Sequence, residues 1–310
     1  MKGDSYTTEE VAKRLKVSKL TVYDLIKKGE LPSYRVGRQM RIDAHDLEYY
    51  IQQLKTGTSS HTSFPAASHP KQNLLLTSAI ISGQDLSLDI LSKHLERRIE
   101  DTRVFRDHNG SLTSLINLYH GNGTIVGLHL FDGDTGEYNL PYIRRILVGH
   151  SYVVIRLLKR KAGFYVQPGN PQNIQDWTDL KQPHIHFVNR EKGAGIRVLL
   201  DEQLRLHQIS PASINGYNRE ETNHISVASH IISGKADAGL GIEKVANMIG
   251  VDFVPLATEC YDLVILKTLE NAWLIQQVKE ILGTQDFQNE LEVIGGYDLS
   301  ETGLIMYETL

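Results

Sequence analysis

Residues 187–204 constrain the fold class of this chain more than any other stretch. Ile185, His186, Phe187 and Val188 predict a short buried strand. Ile196, Leu199, Leu200 and Leu204 then fall on one face of a helix. Gly193 and Gly195, two apart, separate strand from helix. Glycines there let the backbone turn sharply and come close to a ligand. The first N–H groups of the helix point into that turn, an anion-favouring end with Arg190 and Lys192 nearby. A buried strand feeding an amphipathic helix is the building unit of a layered α/β domain.

The unit recurs upstream. Residues 74–80 read as a buried strand and 82–85 as a turn, with Leu86, Ile90, Leu91, Leu95 and Ile99 on a helix. Residues 103–105 form a second strand, and 109–112 open a helix carrying Leu115, Ile116 and Leu118. Residues 124–130 form a third strand, followed by a polar-aromatic loop at 136–142. In open α/β sheets ligands bind beyond the carboxyl ends of strands, so these turns are expected to converge on one cleft. Two long extended segments, 148–166 and 253–266, predict crossovers between two lobes. One lobe would hold about 74–155 and 262–310, the other about 156–261.

The first 55 residues have a different character. Residues 1–56 carry eleven Lys and Arg against eight Asp and Glu, although the whole chain is −4. A small basic segment on an acidic body suits a nucleic-acid reader. Thr7 and Glu10 form a capping box, and Val11, Ala12 and Leu15 face inward from a first helix. Lys16-Val17 turns the chain. Ser18 caps a second helix that runs to about Lys28, and Gly29 stops it. On that helix Val17, Val22, Leu25 and Ile26 can face in, while Ser18, Lys19, Thr21, Tyr23, Lys27 and Lys28 face out. This is helix-turn-helix geometry. Alternation around Gly37 predicts a hairpin wing displaying Arg35, Arg38 and Arg41. Asp43 caps a closing helix. Residues 56–73, rich in Ser, Thr and Pro, read as a linker, whose His61 and His69 suggest solvated side chains rather than a metal site.

Specific motifs turn these patterns into resemblances. Tyr6-Thr7-Thr8-Glu9-Glu10-Val11-Ala12, Thr21-Val22-Tyr23, Gly29-Glu30-Leu31-Pro32 and Arg35-Val36-Gly37-Arg38 resemble the excisionase-type, MerR-like winged helix-turn-helix module. Asp24 departs from it, since relatives often carry a basic residue there. Gly136-Glu137-Tyr138-Asn139-Leu140-Pro141-Tyr142, Phe187-Val188-Asn189-Arg190, Gly216-Tyr217-Asn218-Arg219-Glu220 and Gly234-Lys235-Ala236-Asp237-Ala238-Gly239 resemble the cytoplasmic domain related to type II periplasmic binding proteins and attached to such regulators. Relatives of that fold include binding proteins for molybdate and tungstate. The resemblance implies first-lobe hydroxyls from Ser82 and Ser111, beside Gly83 and Gly110. It implies second-lobe amides from Gly193, Ala194 and Gly195. Arg190, His129, Asn139, Tyr217 and Tyr261 are the further candidates, each either a cleft contact or a packing residue. The family's central loop usually reads Gly-Ser-Gly-Thr-Arg, but here it is Gly193-Ala194-Gly195-Ile196-Arg197. Two hydroxyl donors are absent while the turn geometry is kept.

The resulting expectation is an α/β, two-lobed type II periplasmic-binding-protein-like domain preceded by a small winged helix-turn-helix domain. Its partners would be double-stranded DNA, a small-molecule or oxyanion effector, and a second copy in a homodimer. No run of about 18 apolar residues suggests a membrane span, no apolar leader is apparent, and Cys260 is the sole cysteine. These features point to the cytoplasm. No catalytic residues, metal or cofactor are expected, because neither a nucleophile elbow nor a metal-ligand cluster occurs. Two alternatives stand: an α/β enzyme acting on a small anion in the cleft, and a ligand-free scaffold that dimerises the DNA-binding module.

Overall fold

The computed structural model describes residues 5–27, 31–36, 39–44, 46–47, 78–99 and 102–310. The chain divides into two compact units, residues 1–71 and 72–310.

In the first unit, strand β1 (Ser5–Thr7) leads into helix α1 (Thr8–Leu15) through the expected capping box. The Thr7 hydroxyl accepts from the Glu10 amide, and the Glu10 carboxylate accepts from the Thr7 amide at 2.7 Å. Lys16 closes α1 in the left-handed conformation, with φ 57°. Helix α2 (Lys19–Lys27) begins where the Ser18 hydroxyl accepts from the Thr21 amide at 3.1 Å. Strands β2 (Tyr34–Val36) and β3 (Gln39–Asp43) pair antiparallel, and β1 adds to β3 in a three-stranded sheet. Val11, Ala12, Val22, Leu31, Ile42 and Leu47 are the buried core. Val17, expected inside, is 39 % exposed: the turn set by Lys16 carries it away from the face that buries Val22. Residues 28–30, 37–38 and 48–77 lie outside the described residues, and with them the Gly29 stop, the tip of the wing and the linker.

The second unit opens with β4 (Ser78–Ser82), α3 (Leu86–Arg98), β5 (Arg103–Asp107), α4 (Ser111–Tyr119), β6 (Ile125–Leu128) and α5 (Leu140–Ile146). The loop expected at 136–142 is therefore half helix. Pro141 sits in the first turn of α5, where its missing N–H costs no hydrogen bond. The chain then runs through β7 (Tyr152–Val166), β8 (Phe187–Arg190), α6 (Gly195–Leu206), β9 (Glu220–Glu221), α7 (His224–Ile232), β10 (Ala238–Ile242), α8 (Glu243–Ile249) and β11 (Asp252–Leu266). It returns by α9 (Ala272–Leu282), α10 (Gln285–Ile294), β12 (Tyr297–Asp298) and β13 (Ile305–Glu308).

One sheet runs in the order β5-β4-β6-β11-β7-β10-β8-β9, with β12 and β13 also on β7. The two 15-residue strands β7 and β11 are the expected crossovers. They pair antiparallel along their length, with register shifts at Pro255/Ala257 and Tyr261/Asp262. Their first-lobe halves join the parallel strands β4, β5 and β6, and their second-lobe halves join β10 and β8. Core membership follows. Leu157, Leu158 and Leu263 pack with α3, α9 and α10, while Ala162, Phe164 and Val166 pack under α6. Ile196, Leu199, Leu200 and Leu204 of α6 are all buried, as the spacing predicted. Truncating one, Leu200→Ala, costs about 2–5 kcal/mol by the usual range for buried leucines.

Candidate functional site

The carboxyl ends of β4, β5, β6 and β8 meet at a small cavity between the lobes. Gln84, Asn109, Gly110, Ser111 and His129 line it from the first lobe. Arg190, Ala194, Gly195, Ile196 and His224 line it from the second, and Arg160 of β7 reaches it between the lobes. Its volume is about 10 Å³, room for one water-sized group.

Two helices from opposite lobes end on this cavity without a side-chain cap. Gly110 is the N-cap of α4 and Ala194 the N-cap of α6, and neither supplies a capping oxygen. First-turn N–H groups of such helices need an acceptor from elsewhere. One is already used between the lobes: the Leu112 amide donates to the Gly193 carbonyl at 2.9 Å. A second link is the Arg190 guanidinium, which donates to Gln84 Oε1 at 2.7 Å. The cleft is thus closed. The approach is close enough to require glycine at two positions. A Cβ on Gly110 would lie 2.6 Å from the Gly193 carbonyl oxygen, and one on Gly195 would lie 2.6 Å from the His129 ring.

Beneath the cavity is a buried ionic network. Arg160 bridges Asp85 and Glu259, and Glu259 accepts or shares a proton with His129 Nδ1 at 2.8 Å. All four residues are less than a tenth exposed. The Tyr261 ring lies 4.7 Å from the Arg160 guanidinium and stacks on His129 at 5.4 Å. Burial lowers the His129 pKa below the ordinary histidine value, and Arg160 adds to the effect despite Glu259. His224 is driven well below that value by burial, then by Arg190 and Arg160. Burial opposes ionisation of Glu259, yet the His129 and Arg160 contacts hold its pKa below the usual carboxylate value. His224 Nδ1 is buried without a hydrogen-bond partner among the described residues. Such an orphan calls for an occupant.

Beside the cavity, and sharing Gln84 and His224 with it, lies an open groove of about 450 Å³. Leu86, Ile225, Ile242, Val245, Met248 and Tyr297 form much of its wall, with Lys244 at one side.

The structure brings Gly110, Ser111, His129, Arg190, Ala194 and Gly195 together around the cavity, with Gly193 forming the interlobe bond. Other expected site residues lie behind it. Ser82 is the last residue of β4 rather than part of the turn, and its hydroxyl donates to Asp107. Gly83 packs against Leu88 and Tyr261, and Tyr261 is fully buried beneath His129 and Arg160. Asn139 accepts from the Leu130 amide and donates to Asp262, so it braces the β6–α5 loop. Tyr217 lies over Arg197 and donates to Asp201 at 2.7 Å; Arg197 in turn holds the Arg190 carbonyl. Sequence reasoning missed Gln84, Asn109, Arg160, Ile196 and His224. Gln84 and Asn109 stood in the expected strand-end turns, which was the available signal. Arg160 carried none, since only the tertiary fold places it; His224 had only its nearness to Glu220 and Glu221, which suggests acid–base chemistry rather than a cavity wall.

On the helix-turn-helix unit, Ser18, Lys19, Thr21 and Tyr23 are exposed. Lys19 is paired with Glu9 at 2.5 Å, and Thr21 shares a hydrogen bond with Ser18. Arg41 is half-buried and donates to the Ser5 carbonyl at 3.3 Å. Lys28 and Arg38, with the side chains of Lys27 and Arg35, lie outside the described residues. Among the described residues, His94, Asp286 and Glu290 have metal-ligand spacing, but Glu290 is already engaged by His94 at 3.1 Å and Lys93 at 3.7 Å.

A helix-turn-helix unit joined to a two-lobed α/β domain defines a DNA-binding protein with a small-ligand-binding domain. Residues 92–283 match the PBP superfamily domain and residues 5–55 a helix-turn-helix domain; the chain belongs to the PBP superfamily. It is 52 % identical over 310 residues to the uncharacterized protein YvgK of Bacillus subtilis (strain 168), covering 98 % of each chain. Its fold is similar to that of a Corynebacterium glutamicum OxyR mutant (TM-score 0.52, 12 % identity, 93 % of this chain and 89 % of that one). It is also similar to the tungstate ABC transporter structure from Geobacter sulfurreducens (TM-score 0.51, 10 % identity, 70 % of this chain and 98 % of that one). Among the described residues, no helix is long and apolar enough to cross a membrane.

Proposed function

We propose that the chain is a ligand-responsive transcription regulator: its winged helix-turn-helix reads double-stranded DNA, and a small effector with an anionic oxygen group occupies the interlobe cavity. The observation that carries this reading is the meeting of two uncapped helix N-termini from opposite lobes at a cavity walled by an unpartnered buried imidazole. Helix N-termini favour an anionic acceptor, and side chains from both lobes give the ligand a larger interaction with the closed form. Molybdate or tungstate is the simplest oxyanion of this class, and a carboxylate is the other form the group can take. The cleft acts in binding rather than catalysis. The protein works as a cytoplasmic homodimer, which sets two modules on one operator and raises their effective concentration.

The test is a thermal-shift screen of the full chain over oxyanions and organic acids, followed by DNA affinity with and without each stabilising compound. A change of about 5–150-fold in DNA affinity is expected for a coupling of about 1–3 kcal/mol. A compound that raises Tm through the cleft and leaves DNA affinity unchanged would refute regulation. Sedimentation showing a monomer both free and on DNA would refute the dimer.

A further inference from the structure

Resting on the reading of the cleft as the effector site, we propose that the effector is an organic monocarboxylate with an apolar body, its carboxylate in the helix-ended cavity and its body in the adjoining groove. Size is the first argument. The cavity holds about 10 Å³, while the groove that shares Gln84 and His224 with it holds about 450 Å³. A groove of that volume suits a small organic ligand. A planar carboxylate can put one oxygen into the cavity. A tetrahedral oxyanion brings four oxygens, more than a cavity of about 10 Å³ holds.

Chemistry of the walls is the second argument. Leu86, Ile225 and Met248 are 49 %, 46 % and 58 % exposed, yet they converge on one concave surface. Leu86 comes from the first lobe and the other two from the second, so an apolar body between them would favour closure. Apolar patches collected in a cleft mark binding surfaces.

Charge is the third argument. Arg160 is matched by Asp85 and Glu259, and Arg190 by Glu191 at 2.7 Å. Two guanidiniums thus face three carboxylates, a net of −1 that disfavours a dianion more than a monoanion. In the groove Asp89 is paired with Arg106, while Lys244 has no carboxylate within 4.0 Å among the described residues. Lys244 donates to the Ile294 carbonyl instead, and its single positive charge suits a monoanion. At the junction, His224 Nδ1 is the unpartnered group, and an Nδ1–H tautomer would donate to a carboxylate oxygen.

The experiment is calorimetric titration of the full chain with straight-chain monocarboxylates from acetate to octanoate, beside molybdate, tungstate and phosphate. Affinity should rise about fourfold per methylene until the groove fills, the increment for burying one CH₂. Met248→Asp should lower octanoate affinity at least tenfold and acetate affinity far less. Affinity independent of chain length, or binding of the inorganic oxyanions alone, would overturn the proposal and leave the regulator reading standing. No binding by any carboxylate would also overturn it. Chain-length-dependent binding with no effect on DNA affinity would leave the ligand class in place and overturn regulation instead.

Discussion

Gly110→Ala isolates lobe closure from every other property of the protein. Gly110 has φ −67° and ψ 159°, a conformation alanine adopts freely, so the change adds no backbone strain. The three atoms nearest its Cβ would all belong to the other lobe: the Gly193 carbonyl oxygen at 2.6 Å and the Ala194 nitrogen and Cα at 2.7 Å. Backbone atoms cannot swing aside, so the lobes must part by about 1 Å to reach ordinary contact distances. The bond from the Leu112 amide to the Gly193 carbonyl, 2.9 Å long, then stretches beyond hydrogen-bonding range. Losing it costs the closed form about 1 kcal/mol, and about 3 kcal/mol if the bond between Arg190 and Gln84 follows. Amide exchange measured by NMR at Leu112 should accelerate about 5- to 150-fold, with little change at Leu199 in the α6 core. Parental exchange at Leu112 would show that closure does not bring Gly110 onto the Gly193 loop, and the account of the cleft would fail.

Three further outcomes are expected. Gly195→Ala places a Cβ 2.6 Å from a His129 ring that Glu259 and Tyr261 hold in place; DNA binding should persist while the response to any cleft ligand is lost, and a normal response would make this turn merely structural. Glu259→Ala removes the bonds to His129 and Arg160 while Asp85 still neutralises Arg160, and should lower unfolding free energy by about 1–3 kcal/mol in urea titration; an unchanged unfolding free energy would contradict the ionic network. His224 is neutral in the fold because burial depresses its pKa, so as pH falls the unfolded chain takes up the proton first. Its contribution is therefore intact above about pH 6.5 and erodes below it, by up to about 1.4 kcal/mol per pH unit. His224→Gln should narrow the difference in urea midpoint between pH 7.5 and 5.5, and an unchanged difference would place the titration elsewhere.

Local pattern revealed what local chemistry decides. The Thr7–Glu10 capping box, the Ser18 cap and the buried face of α6 are each set by neighbours within a few residues, and each appears in the structure. Strand-end turns could be placed for the same reason, which is why Gly110, Ser111 and Gly195 fall at the cavity. What spacing could not show was which polar residue faces the cleft and which braces its wall. Asn109, Asn139 and Tyr217 stand in the same kinds of loop and each donates to a carboxylate, Asp107, Asp262 and Asp201 in turn, yet only Asn109 lines the cavity. Arg160 and Glu259 lie 99 residues apart in sequence and become partners only because β7 and β11 bring them opposite each other.

That pairing has a mechanical consequence. The lobes are joined by a two-stranded ribbon whose ladder continues through both, so they can turn on each other by twisting it without breaking it. The ribbon behaves as a torsion bar, and its register slips on either side of the Arg160–Glu259 rung, at Pro255/Ala257 and at Tyr261/Asp262. His129 lines the cavity and touches that rung through Glu259. A ligand at the proposed site would contact His129 and so bear on the middle of the ribbon. If the groove holds the body of the ligand, its walls can change without touching the ribbon, whereas a change at this rung alters the pairing that joins the two lobes.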